Sequence, residues 1–171
     1  MLTPTVRRTL APRGQTPIHH CWGRRDRISA VSAITISPLR KRRGLYFALL
    51  PDNENVHAED VVSFLRQLKH HLPGAITIIW DRGRVHDRSK MVQAYLAKHP
   101  EIVTEKLPAY APELNPDEQV WSNIKYGRLP NYAPNDIREL RRRLTRELQH
   151  LRKRPDLLAS FIHHAKIPLR I

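Results

Sequence analysis

The 171-residue sequence is poor in several things at once, and each shortage closes off a class of protein. Its one cysteine, Cys21, excludes an internal disulfide framework and any multi-cysteine zinc site. Aromatic residues are only 6% of the chain, and no apolar run approaches the roughly 18 residues of a membrane span. No secretory leader pattern opens the chain, so the expected compartment is cytoplasmic, with no membrane partner. Acids are scarce beside bases, 16 against 30, which leaves a formal net charge of +14. A surplus of that size points to a polyanionic partner. Hydrophobic residues at 40% and charged residues at 27% still match a globular domain, which excludes wholesale disorder. At this length a single domain over residues 1–171 is expected.

The charge is unevenly spread. Residues 1–43 hold ten basic residues against the single acid Asp26. Residues 138–154 hold eight, Arg138, Arg141, Arg142, Arg143, Arg146, Arg152, Lys153 and Arg154, against Glu139 and Glu147. The remainder is nearly neutral. Two basic flanks around a balanced centre suit a nucleic-acid enzyme whose flanks meet phosphate while its acids do chemistry. Solvated basic faces are the structural alternative. Arginine dominates the bases, and its planar fork matches phosphate oxygens.

Residues 1–26 carry Pro4, Pro12, Gly14 and Pro17 with no apolar period and read as an extended basic arm. Residues 27–130 read as the core. There Ile28 to Ile36 alternates as a strand, Pro38 and Arg40 to Gly44 form a turn, and Leu45 to Leu50 returns as the second strand of an antiparallel hairpin. Val61, Val62, Phe64, Leu65 and Leu68 predict a helix over Ala58 to His71, closed by Pro73 and Gly74. Ala75 to Trp80 reads as a buried strand ending at Asp81, followed by a helix over Arg88 to Lys98 and a strand over Ile102 to Leu107. A Pro-rich loop then leads to Asn115 and Pro116, a good cap and first residue for a helix reaching Lys125. Residues 131–171 read as basic C-terminal helices, with Ile137, Leu140, Leu144, Leu148 and Leu151 in one apolar stripe and arginines opposite. The order predicts an α/β fold, a mixed sheet with helical cover.

Two carboxylates stand out: Asp81 at a strand end and Glu118 in the first turn of the helix after the Pro-rich loop. Rigid elements with open ends are where α/β folds place functional groups, and a pair of acids suits Mg²⁺, which takes one or two carboxylates plus water and phosphate. Each has a structural alternative. Asn115 to Glu118 has the form of a capping box, and Asp81 could end its strand in an Asx-turn. His86 either supports the acids or packs at a helix start. His19, His20 and Cys21 sit on an extended arm without a fourth ligand and are discounted as a metal site. Trp121 and Ile124 are expected to pack the acidic helix into the core, while Lys125 and the arginines of the last helix are candidate phosphate contacts.

The run from Trp80-Asp81 through Ser89, with Leu107-Pro-Ala-Tyr-Ala-Pro-Glu-Leu-Asn-Pro-Asp-Glu118-Gln-Val-Trp121-Ser-Asn-Ile-Lys125, resembles the catalytic core of mariner-like bacterial insertion-sequence transposases of the DDE superfamily endonucleases. Thr3 to Pro17 resembles the segment that follows the first catalytic acid in that family. The resemblance implies an RNase H-like fold in which three acids hold two Mg²⁺ or Mn²⁺ ions for in-line attack on a phosphodiester. It makes Asp81 the second acid and Glu118 the third, both catalytic and metal-binding. Beside them, His86 of the same motif is a candidate support for the metal site, and Lys125, Arg138, Arg141, Arg142 and Arg146 are, by position and charge, the candidate DNA contacts. The first acid and its central strand should precede Thr3, and the chain starts at Met1. Asp26, between Arg25 and Arg27, is not expected to substitute. The expectation is therefore an N-terminally truncated transposase catalytic domain, acting on DNA for cleavage and strand transfer and inactive alone.

A second reading is a non-catalytic basic DNA-binding remnant that forms homo-oligomers or mixes with an intact transposase. A ribosomal type of RNA-binding protein is disfavoured, since phosphate binding does not call for the two acids.

Overall fold

The computed structural model describes residues 7–8, 10–18, 26–37 and 42–165. The His19, His20 and Cys21 group, the Thr3-Pro-Thr start of the arm, and the Pro38 and Arg40 turn lie outside the described residues. Described arm residues 10–18 form no regular element and are exposed, as their prolines predict. The arm touches the body at Arg7, whose N–H donates to Asn131 Oδ1 at 2.8 Å while Asn131 Nδ2 donates back to the Arg7 carbonyl.

Strands β1 (Ile28–Ser37) and β2 (Arg42–Asp52) form the antiparallel hairpin that their alternation predicts. Pairing Ser32 with Phe47 and Ile34 with Leu45 puts Leu45, Phe47, Leu49, Ile28 and Ile34 against one core. That core is closed by α4 (Pro116–Ser122), α5 (Ile137–Arg152) and α6 (Pro155–His164), through Val120, Ile124, Leu144, Leu148, Leu151 and Leu158, all fully buried. Truncating any one of these leucines to alanine costs about 2–5 kcal/mol by lost burial plus the cavity left. α5 starts at an Asp136 cap, whose carboxylate accepts the Glu139 N–H at 2.6 Å. Arg141 then donates to Asp52 and to the Leu50 carbonyl, tying α5 to the end of β2.

A second core holds α1 (Ala58–His71), α2 (Arg84–Asp87) and α3 (Lys90–Ala97) against strand β3 (Ile76–Trp80), through Val61, Val62, Leu65, Val92, Ile78 and Trp80. β3 pairs in parallel with β4 (Ile102–Lys106), Ile76 opposite Ile102 and Trp80 opposite Lys106.

The mixed sheet is present as two hydrogen-bonded halves, β1 with β2 and β3 with β4, and no described strand joins them, as expected of a sheet that lacks its first central strand. Several other expectations need correction. β3 is not buried on both sides: Ile79 is 38% and Val103 51% exposed, because the helices cover one face only. The helix predicted over Arg88 to Lys98 is α3, which starts at Lys90 because Ser89 leaves helical geometry and its Oγ caps the helix at Val92, and the short α2 before it was not predicted. The helix through Lys125 is α4 followed by a π-helical turn over Asn123–Arg128. The C-terminal helices are, as expected, more than one: α5 ends at Arg152 and α6 begins at Pro155. No helix among the described residues is long and apolar enough to cross a membrane.

Candidate active site

Asp81 follows β3 and is held by its own turn. Its Oδ1 accepts the Gly83 N–H at 2.8 Å, and His86 Nε2 lies 2.8 Å from both Oδ1 and the Asp81 carbonyl. The Asx-turn alternative is therefore realised, and it engages one oxygen while the side chain stays 61% exposed. The His86 ring leans on Trp80, centroids 4.8 Å apart, which fixes its approach. Residue 83 must be glycine for this: a Cβ there would stand 2.6 Å from His86 Cε1 and 2.9 Å from Asp81 Oδ1. Support of Asp81 by His86 and packing of His86 at a helix start, offered by the sequence as alternatives, both occur.

Glu118 reaches the surface from the first turn of α4. The capping box is not formed. Asn115 Oδ1 caps the helix by accepting the Asp117 N–H at 3.1 Å, and the Asn115 N–H itself donates to the Pro112 carbonyl at 3.0 Å. The Glu118 carboxylate thus has no hydrogen bond or ion pair among the described residues. Its helix is nevertheless rigidly seated, with Val120 and Ile124 fully buried as expected and Trp121 packed against the same core.

The residue that sequence reasoning missed is Asp117. Its Oδ2 accepts from Ser32 Oγ at 2.6 Å and from Trp121 Nε1 at 3.1 Å, joining α4 to β1. Burial pushes its carboxyl pKa up, against the lowering effect of the Ser32 and Trp121 hydrogen bonds. The tryptophan four residues on, with its single N–H donor, was the available signal.

No hydrogen bond or ion pair joins Asp81 to Glu118, and they sit on different cores. Among the described residues no three His, Cys, Asp or Glu side chains group to hold a metal ion. Carboxylate oxygens are the donors Mg²⁺ takes, and both acids keep oxygen free, so the residue types fit while the pair remains unassembled. Asp26, close in sequence to the hairpin, accepts from Asn53 Nδ2 at 3.0 Å.

The basic candidates separate. Arg138, Arg142 and Arg146 repeat every four residues along α5, exposed and in no salt bridge among the described residues. Arg141 is bonded to Asp52 instead, and Lys125 lies 5.1 Å from the Tyr126 ring centre.

The whole arrangement matches solved structures at low identity. The Mos1 mariner paired end complex with Mn aligns at TM-score 0.58 and 14% identity, over 99% of this chain and 53% of that one. The Mos1 strand transfer complex aligns at TM-score 0.53 and 14% identity, over 99% and 52%. This chain spans about half the length of those it matches. Its fold is RNase H-like. Residues 1–150 match the family model described as DDE superfamily endonuclease, and the chain belongs to that family. No curated protein matches it.

Proposed function

We propose that the chain is the catalytic portion of a transposase that cleaves DNA and transfers strands, with Asp81 and Glu118 as the acids that hold Mg²⁺ or Mn²⁺. The observation that carries this is Glu118, an acid on a capped, core-anchored helix that takes no part in its own cap. Bound divalent cations would polarise the phosphodiester and activate the attacking oxygen. The chain's own part is positional. His86 and Gly83 fix one Asp81 oxygen and leave the other open, while Asn115, Trp121 and Asp117 aim α4. Arg138, Arg142 and Arg146 supply a phosphate-holding stripe, with Lys125 beside the acidic helix.

The acids act only when a further acid-bearing strand lies between β1 and β3. The separate hydrogen-bonding of those two strands supports this, because a strand seated between them closes one sheet and adds the third carboxylate. Alone, the chain binds DNA through phosphate, with little sequence preference and strong salt dependence.

The test is nicking of supercoiled DNA in Mg²⁺ or Mn²⁺ by the chain, with and without a supplied segment bearing the first acid. Nicking restored by that segment and abolished by Glu118→Gln supports the reading. Nicking by the chain alone, sensitive to Asp81→Asn, would sink the dependence on the added strand. Salt-sensitive binding with no nicking in either case leaves the second reading, a DNA-binding remnant that mixes with an intact transposase.

A further inference from the structure

We propose that Tyr110 is a stacking platform for an unpaired DNA base held beside the two acids, an inference that rests on the DNA-acting reading above. Three observations converge on it. Tyr110 is fully exposed, and its side chain makes no hydrogen bond or ring contact among the described residues. Its backbone is also left-handed, φ 58°, a conformation that an aromatic residue rarely adopts. The other described non-glycine residues with positive φ are Asn53 and Asn131, and both use their side chains in hydrogen bonds, to Arg27 and Arg7. Tyr110 carries the strain with no hydrogen bond or ring contact among the described residues in return, which is the pattern of a residue held for a ligand.

The third observation is where the loop is anchored. At its entry the Leu107 N–H donates to the Trp80 carbonyl at 2.8 Å, and Arg82 Nε donates to the Leu107 carbonyl at 3.3 Å. Those two residues flank Asp81. At its exit the 3₁₀ turn Pro112–Leu114 runs into the Asn115 cap of the helix carrying Glu118. Tyr110 therefore rides on the segment that links the two acids, between the fixed φ values of Pro108 and Pro112.

An aromatic ring with open faces suits nucleobases, since every base has a π-face to stack on it. Within a duplex those faces are covered by neighbouring base pairs. Away from the outer face of a terminal pair, only a base that is overhanging, frayed or turned out of the helix can lie on Tyr110. The predicted ligand is thus an unpaired nucleotide whose phosphate lies near the acids.

The experiment compares binding of the chain to a labelled duplex with a single-stranded overhang and to a blunt duplex of equal length, at one salt concentration. Wild type is expected to prefer the overhang. Tyr110→Ala and Tyr110→Gly should lose that preference, on the order of tenfold in overhang affinity, with blunt-duplex binding unchanged, while Tyr110→Trp keeps it. Tyr110→Gly also relieves the left-handed backbone, so its melting temperature should equal or exceed wild type, which separates lost stacking from lost folding. Overhang preference that survives in Tyr110→Ala overturns the inference and leaves the DNA-acting reading intact. Absence of binding to either DNA by wild type overturns both.

Discussion

Ser32 on β1 donates its hydroxyl to Asp117 on α4 at 2.6 Å across 85 residues of sequence, and Trp121 donates to the same oxygen. This buried acid, next to the proposed catalytic Glu118, has no cationic partner among the described residues, and its other oxygen is buried without a hydrogen bond. Burial raises its pKa, so the folded state binds the proton more tightly than the unfolded chain does. The associated stability is present below the ordinary Asp range and is lost as pH rises through the raised folded value.

Asp117→Asn, which keeps an oxygen for Ser32 and Trp121 and cannot ionise, should melt higher than wild type at pH 7 in metal-free buffer. The gap should shrink toward pH 4. Thermal melts at the two pH values check this; a variant less stable than wild type at pH 7 would show that the carboxylate is favourable where it sits.

Gly83 separates His86 from Asp81 with no room for a methyl group. Gly83→Ala is expected to cost about 1 kcal/mol and lower the melting temperature by a few degrees, because the histidine must leave the carboxylate. The cycle with His86→Ala decides the cause. Added to His86→Ala, the methyl group should cost much less than it does in wild type, whereas fully additive effects would locate the clash elsewhere.

These tests bear on what the sequence could reveal. The hairpin, α1 and the apolar stripe of α5 were legible because alternation and helical spacing record which face meets a core. The open face of β3 was not: Ile76 to Trp80 is largely apolar, and its run of β-branched residues reads the same with one face covered or two. At the site, the chemical type of Asp81, His86 and Glu118 was legible, and so were both structural alternatives. Choosing between them took coordinates, since only the atoms show that Asn115 caps without Glu118 while Asp81 does enter its turn. Asp117 escaped because its partner Ser32 is remote in sequence.

Neighbouring arginines on α5 should part company. Arg141 is tied to Asp52 and the Leu50 carbonyl, so Arg141→Ala is expected to cost about 1 kcal/mol of stability and leave DNA affinity little changed. Arg142→Ala should leave stability within about 0.5 kcal/mol and weaken DNA binding, reducing the slope of log affinity against log salt by about 0.9. Melting curves and salt titrations on both variants test the division. A salt slope altered by Arg141→Ala and not by Arg142→Ala would reverse the assignment.

At the opposite ends of β3 and β4 from Asp81, Lys69 of α1 bonds to Glu101 and to His99 Nδ1, the latter at 2.7 Å. The Lys69 hydrogen bond, helped by the backbone and by His99, holds the Glu101 carboxyl down to about 2. A depressed folded pKa contributes stability that is fully present above the ordinary glutamate range and is lost as pH falls toward about 2. Acid unfolding followed by circular dichroism should therefore begin as the pH drops below the ordinary glutamate range. Lys69→Met removes the cation, lets Glu101 return toward its ordinary value, and should flatten stability between pH 5 and pH 3 relative to wild type. An acid limb identical in the two proteins would mean that other carboxylates set it, Asp156 foremost, held at about 2 by Arg154.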